Sequence, residues 1–305
     1  MTRPLAALDL GTNSTRFICV EESDTVHPET VKARGMQVTR LGEGVDDSGE
    51  ITPRARDRVL DCVRGFDREV NQQDGQWVGA VATSACRRAS DSSVQDLFDR
   101  IESVTSVRPE LISGEREAEL IYKGVTSSLP GKSNGQIVDI GGGSTEWITF
   151  NSGTLESTES LEIGVVTLYE RCSSETRCTP ENSDCMEDVL GETLIPRNTN
   201  NGPLLCVGGT GTTLASVHLQ LETYDPGRVH GTALTRSTIN QLYQKFLGEP
   251  FETIAREPMV QSGREEVLVP GILILLRSMK LTSSTEVTVS DMGILAGLIS
   301  EATKT

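Results

Sequence analysis

The feature that most limits how this chain can fold is a repeated turn. Residues 7–18 read Ala-Leu-Asp-Leu-Gly-Thr-Asn-Ser-Thr-Arg-Phe-Ile, and residues 137–148 read Ile-Val-Asp-Ile-Gly-Gly-Gly-Ser-Thr-Glu-Trp-Ile. Asp9, Gly11, Ser14 and Thr15 correspond to Asp139, Gly141, Ser144 and Thr145 at a constant offset of 130 residues. Apolar runs flank both copies, so each reads as strand, polar turn, strand. Such self-similarity implies two lobes of like architecture, each opening with a hairpin whose tip points at a common cleft. The turns also carry chemistry. Glycine lets backbone N–H groups approach an anion, Ser and Thr add hydroxyl donors, and a strand-end carboxylate such as Asp9 can hold a divalent cation.

Periodicity fills in the rest. Helices are expected over 52–70 and 94–103, with another opened by Ser113-Gly114 and running through Tyr122. Strands are expected over 77–83 and 204–207, the latter followed by a glycine-rich turn at 208–211 and a helix from Thr212. Strands alternating with helices make this an α/β fold. The segment 124–136, rich in Gly, Ser, Lys and Pro, reads as the lobe boundary. The domains are therefore expected at 1–126 and 127–291, with a helix at 292–305 joining the first. A chain of 305 residues accommodates two domains of ordinary size.

Composition excludes some partners. A formal charge of −16 argues against nucleic acid and against an anionic membrane, since both need a basic face. Asp9 comes too early for a secretory signal. The longest apolar run, 267–276, is broken by Pro270 and Gly271 and has about half of the ~20 residues needed to span a bilayer; it reads as a buried helix. Of the seven cysteines, Cys19, Cys62, Cys86 and Cys206 sit in core-like segments. Cys172, Cys178 and Cys185 lie in a polar stretch whose spacing fits no zinc ribbon, and read as surface thiols in a reducing cytoplasm.

Other stretches are less specific taken singly. Val207-Gly-Gly-Thr-Gly-Thr-Thr213 precedes a helix, and helix N-termini favour anions. Ala82-Thr-Ser-Ala-Cys-Arg-Arg-Ala89 gathers two hydroxyls and two guanidiniums, a combination suited to phosphate or simply to a solvated loop. Glu115, Glu117 and Glu119 open a helix, where acids favour the helix dipole, and spacing alone does not single out Glu117. Arg264 lies in a charged run and reads as surface.

Together these stretches resemble the exopolyphosphatases and guanosine pentaphosphate phosphohydrolases of the actin, sugar-kinase and Hsp70 superfold. The resemblance rests on 8–16, Leu41-Gly-Glu-Gly44, Ala82-Thr-Ser-Ala85 with Arg87, Ile112-Ser-Gly114 with Glu117-Ala118 and Gly124-Val125, 139–146, Val207-Gly-Gly-Thr-Gly211, Val229-His-Gly231 and Arg264. It implies two ribonuclease-H-like, actin-like ATPase domains with the active site in the cleft between them. It also implies that Glu117 is the catalytic base, and that Asp139 and Glu146, with Asp9, hold Mg²⁺ or another hard divalent cation such as Mn²⁺. Phosphate contacts would come from Thr12, Asn13, Ser14, Arg16, Gly142, Gly143, Ser144, Thr145, Gly208, Gly209 and Thr210, with Arg87 and Arg264 on outer phosphates. The reaction implied is attack of water on a terminal phosphoryl group. The substrate would be inorganic polyphosphate, or alternatively a phosphorylated guanosine nucleotide (pppGpp) or another nucleoside triphosphate. From another class, an ATP-dependent kinase of the superfold would use an aspartate base beside a sugar hydroxyl and would lack the Glu117 segment; a non-catalytic protein that binds polyphosphate or an alarmone is the remaining alternative. The family is commonly homodimeric, and the same is expected here.

Three departures from the family pattern bear on detail. Arg116 stands where the family carries an acid. Gly293-Ile-Leu-Ala-Gly297 lacks two charges usual in the family, and Asp91 is near a position that favours Asn. The net negative charge and the absence of a further helical region after the two-domain core lead to an expectation of short-chain polyphosphate.

Overall fold

Two strands, Leu5–Leu10 (β1) and Gly135–Ile140 (β6), are buried along their whole length, and each carries its aspartate one residue before its end. A strand covered on both faces reads as a continuous apolar run, and such strands sit at the centre of α/β sheets. In the computed structural model each lies in the interior of its own sheet. The structure describes residues 3–303 other than 24, 25, 174, 175, 197 and 201.

The chain divides into two units, Met1–Ser128 with Met292–Thr305, and Leu129–Asp291. The first unit adds Ser14–Val20 (β2), Val31–Val38 (β3), Gln76–Ala82 (β4) and Glu110–Leu111 (β5), in the order β3-β2-β1-β4-β5. The second adds Thr145–Asn151 (β7), Thr154–Leu161 (β8), Leu204–Val207 (β9), Ala233–Thr235 (β10) and Glu286–Val289 (β11), in the order β10-β11-β9-β6-β7-β8. Pairing is alike in both: an antiparallel three-strand meander (β1-β2-β3, β6-β7-β8), then parallel neighbours on the other side (β4 and β5, β9 and β11). This is the ribonuclease-H-like topology of the actin-like ATPase fold. Each unit has its own apolar core.

Helices follow the sequence closely where capping is explicit. The helix expected at 52–70 runs Pro53–Gln72, with the Thr52 hydroxyl accepting from Ala55 N–H and proline in the first turn. The apolar run at 267–276 is a buried helix, Leu268–Leu281, and no helix among the described residues is long and apolar enough to cross a membrane. Two expectations need correction. The segment from Gly124 is not linker at its start, because the Gly114–Ser128 helix continues through it. The glycine-rich turn after β9 is also shorter than expected, since the helix starts at Gly209 rather than Thr212.

Gly124 has a packing reason to be glycine. The C-terminal helix, Ile294–Ala302, packs on Gly114–Ser128 and on β1. A Cβ on Gly124 would fall 2.1 Å from the Gly293 carbonyl oxygen, and one on Gly297 would fall 1.9 Å from that of Leu120. The two helices touch backbone to backbone, a distance only glycine permits. Leu295 and Ala296, where the family's two charges are missing, are buried.

The reading of Cys172 and Cys185 as surface thiols is also corrected. They are joined by a disulfide with Cα atoms 5.8 Å apart, because the helices Val165–Cys172 and Pro180–Thr193 pack together. Cys178 is buried. Pairings between neighbouring helices leave no mark in a spacing pattern.

Candidate active site

In the first unit the Asp9 carboxylate lies at the carboxyl end of β1 and is 1% exposed. Its partner across the hairpin is Arg16, whose Nε donates to Asp9 Oδ2 at 2.9 Å, with Nη2 donating to the same oxygen. Among the described residues no donor reaches the buried Asp9 Oδ1. The turn between them is built on backbone bonds. Gly11 N–H donates to the Ser14 carbonyl, those of Thr39 and Arg40 to Asn13, and that of Gly42 to Thr12. The 41–44 stretch thus closes over the turn. The Thr15 hydroxyl is buried against that of Thr39 at 2.9 Å.

The same unit holds Glu117, 8% exposed in the first turn of its helix. Arg87, from the short helix Ser84–Arg88 after β4, donates through Nη1 to Glu117 Oε2 at 2.9 Å and to the Ile112 carbonyl at 3.0 Å. Arg116 turns elsewhere: it bonds Glu119 and Glu301, and Lys123 reaches Glu301 as well. The base that replaces the family's acid therefore fastens the C-terminal helix to the Glu117 helix.

In the second unit the same turn recurs, with Gly141 N–H donating to the Ser144 carbonyl. Asp139 sits opposite Glu146 in the β6–β7 register, as Asp9 sits opposite Arg16. Both acids are buried, 6% and 1% exposed. Glu146 Oε1 accepts from the Ser144 hydroxyl at 2.9 Å and from the Ser160 hydroxyl on β8 at 2.9 Å. The Thr145 hydroxyl is turned into the core and donates to the Ile163 carbonyl at 2.6 Å. The carbonyls of Gly141 and Gly142 accept from Val165, Val166 and Thr167, which ties this turn to the start of the Val165–Cys172 helix. Gly143 is buried beside them.

The third glycine-rich stretch joins this group. Gly208 has φ +89°, and a Cβ built on it would lie 2.6 Å from Asp139 Oδ1. One on Gly209 would lie 1.6 Å from Arg264 Nη1. The Arg264 guanidinium therefore covers the Gly209 backbone at the start of the Gly209–His218 helix, where unpaired N–H groups favour an anion. Arg264 is placed here by tertiary packing, against its reading as surface. The Thr210 side chain packs against Gly271 and contributes no outward hydroxyl. Burial, with the nearby Asp139 charge, pushes the Cys206 thiol well above its usual range, so it stays protonated.

The structure thus gathers Asp9, Arg16, Thr12, Asn13 and Ser14 at one turn, and Arg87 with Glu117 close together in the same unit. It gathers Asp139, Glu146, Ser144, Gly208, Gly209 and Arg264 at the other turn. Ser160 and the Arg116–Glu301 pair had no signal in the sequence. Ser160 becomes visible only once the β7–β8 register is known.

A divalent cation fits the second set. No group of three His, Cys, Asp or Glu side chains is gathered among the described residues. Asp139 and Glu146 are directly paired across β6 and β7, and Mg²⁺ characteristically takes one or two carboxylates and completes its shell with water and phosphate oxygens.

The sequence model of the Ppx/GppA phosphatase family matches residues 19–305. The bifunctional 3-dehydroquinate synthase/phosphatase of Fusobacterium nucleatum is 30% identical over 314 residues, covering 97% of this chain and 46% of that protein. The chain therefore spans about half the length of this curated relative. Among solved structures, an Aquifex aeolicus member of the Ppx/GppA family is 28% identical with a TM-score of 0.80, covering 99% of this chain and 98% of the other. An exopolyphosphatase from Cytophaga hutchinsonii is 26% identical with a TM-score of 0.87, covering 99% and 98%.

Proposed function

The chain belongs to the Ppx/GppA phosphatase family, and from that premise we propose that it is an exopolyphosphatase releasing terminal orthophosphate from inorganic polyphosphate. The observation that carries this reading is the contrast between the two turns. At equivalent places in the register one pairs its aspartate with an arginine, and the other pairs its aspartate with a second carboxylate. The first arrangement suits gripping an anion, the second suits holding a cation beside one.

In this reading Glu117 accepts the proton of the attacking water as general base. The water oxygen bonds to the terminal phosphorus, the bridging P–O bond breaks, and the shortened chain leaves with the bond electrons. Arg87 orients Glu117. Asp139 and Glu146 hold Mg²⁺ or Mn²⁺, which when bound offsets phosphate charge. Backbone N–H groups of the two turns and of Gly208–Thr210, with Arg16 and Arg264, contact phosphate oxygens. Asp9, already engaged with Arg16, is a weaker cation ligand than Asp139, although its orphaned Oδ1 leaves one acceptor for a cation or its water. Positioning and charge neutralisation do most of the catalysis.

A net charge of −16 disfavours a long basic track, so short chains are the proposed substrate. A pppGpp phosphohydrolase is the second reading, supported by the same family membership. A cytoplasmic location and a homodimeric state complete the proposal; the Cys172–Cys185 disulfide, uncommon in a reducing compartment, counts against the location, and cell fractionation and light scattering test both. The decisive measurement is phosphate release from short polyphosphate, long polyphosphate, pppGpp and ATP, each with Mg²⁺ and with chelator. Release from short polyphosphate that needs the metal is expected. Faster turnover of the long polymer would contradict the chain-length proposal, and turnover of pppGpp alone would favour the second reading.

A further inference from the structure

The strand register carries the comparison of the two turns one strand further than the sequence repeat does. In the first unit the row across the meander is Asp9, Arg16, Met36. In the second it is Asp139, Glu146, Ser160. Met36 and Ser160 do not share the offset of 130 residues that relates the turns, so only the pairing shows that they occupy equivalent places.

The third members differ in the way the second members require. Arg16 is fixed by Asp9, and the thioether of Met36 has no proton to donate. Glu146 faces another acid, and Ser160 supplies a hydroxyl to its Oε1 at 2.9 Å. The Ser144 hydroxyl reaches the same oxygen. Both hydroxyls donate to Glu146 Oε1. The terminal torsion of a glutamate is broad and roughly two-fold. Two donors converging on one oxygen of a carboxylate that is 1% exposed select one orientation of it. Ser144 belongs to the turn itself. Ser160 arrives from the neighbouring strand, where no turn geometry demands a hydroxyl.

We propose that Ser160 is a positioning residue for Glu146, holding its carboxylate in the orientation that binds the divalent cation. This rests on the reading of Glu146 as a cation-holding acid. Partners of this kind, one step removed from a metal, characteristically change affinity or activity by about 10- to 100-fold when removed.

The test is Mn²⁺ binding followed by electron paramagnetic resonance on the full chain without substrate, alongside turnover of tripolyphosphate. The variants are S160A, S160T, E146A and the double variant S160A/E146A. E146A is expected to weaken Mn²⁺ binding, and S160A to weaken it about ten-fold with a similar fall in kcat. S160T, which keeps the hydroxyl, should recover most of both, and S160A should add nothing in the E146A background. If E146A weakens binding but S160A binds as the parent does, the role of Ser160 is overturned and that of Glu146 stands. If E146A binds Mn²⁺ as tightly as the parent, both are overturned. An S160A effect that persists undiminished on top of E146A would mark a general structural disturbance and also overturn the proposal.

Discussion

Arg87 Nη1 donates to Glu117 Oε2 at 2.9 Å while holding the Ile112 carbonyl at 3.0 Å. One guanidinium thus ties the Glu117 carboxylate to the backbone just before its helix. Removing the carboxylate's basicity while keeping its shape should separate chemistry from binding. E117Q is expected to lower kcat by about 10²- to 10⁴-fold, with KM for tripolyphosphate little changed. Steady-state phosphate release checks this, and unchanged turnover would remove Glu117 from the mechanism.

Gly209 and Arg264 give a second prediction. A methyl group at Gly209 would fall 1.6 Å from Arg264 Nη1 and must push the guanidinium away. G209A should therefore behave like R264A, raising KM for polyphosphate by about ten-fold, roughly 1.4 kcal/mol, as one charge-assisted phosphate contact is lost. Combining the two should be no worse than either alone, since both remove the same contact. Additive losses would show that the guanidinium does not act through this placement.

Glu301 carries a prediction in pH. Its carboxyl is held below the usual range by the Arg116 hydrogen bond first, with Lys123 adding and burial opposing. A carboxyl whose pKa is depressed on folding contributes stability that is full above its unfolded value and lost as pH falls through its folded value. E301Q should lower stability by about 0.5–1 kcal/mol at neutral pH, and the gap from the parent should close in acid. Urea midpoints of both proteins at neutral and acid pH test this, and a gap that widened in acid would contradict it.

The Cys172–Cys185 bridge closes a short loop, with a sequence separation of 13. Chain-entropy reasoning gives up to about 3 kcal/mol for such a loop. Reduction, or C172S/C185S, should lower the urea midpoint, and titration of the native protein should count two more accessible thiols after reductant. The remaining cysteines are buried, and burial pushes the Cys62 and Cys86 thiols up to about 12, so they should stay silent. Identical midpoints with and without reductant would show that the bridge does not constrain the fold.

The sequence by itself determined the two turns, the strands around them, the α/β class, and the substitution of Glu146 for Arg16 at one aligned position. These are local properties: continuous apolar runs in the central strands, glycine where backbone must approach an anion, and caps that start a helix. Tertiary structure decided which side chains meet. It set Ser160 beside Glu146 through the register of β7 and β8, laid Arg264 on Gly209, turned Arg116 toward Glu301, and joined Cys172 to Cys185. Each of these contacts depends on how strands register or helices pack across a gap in the chain. That relation is fixed by the whole core rather than by the residues nearby, so a spacing pattern cannot carry it.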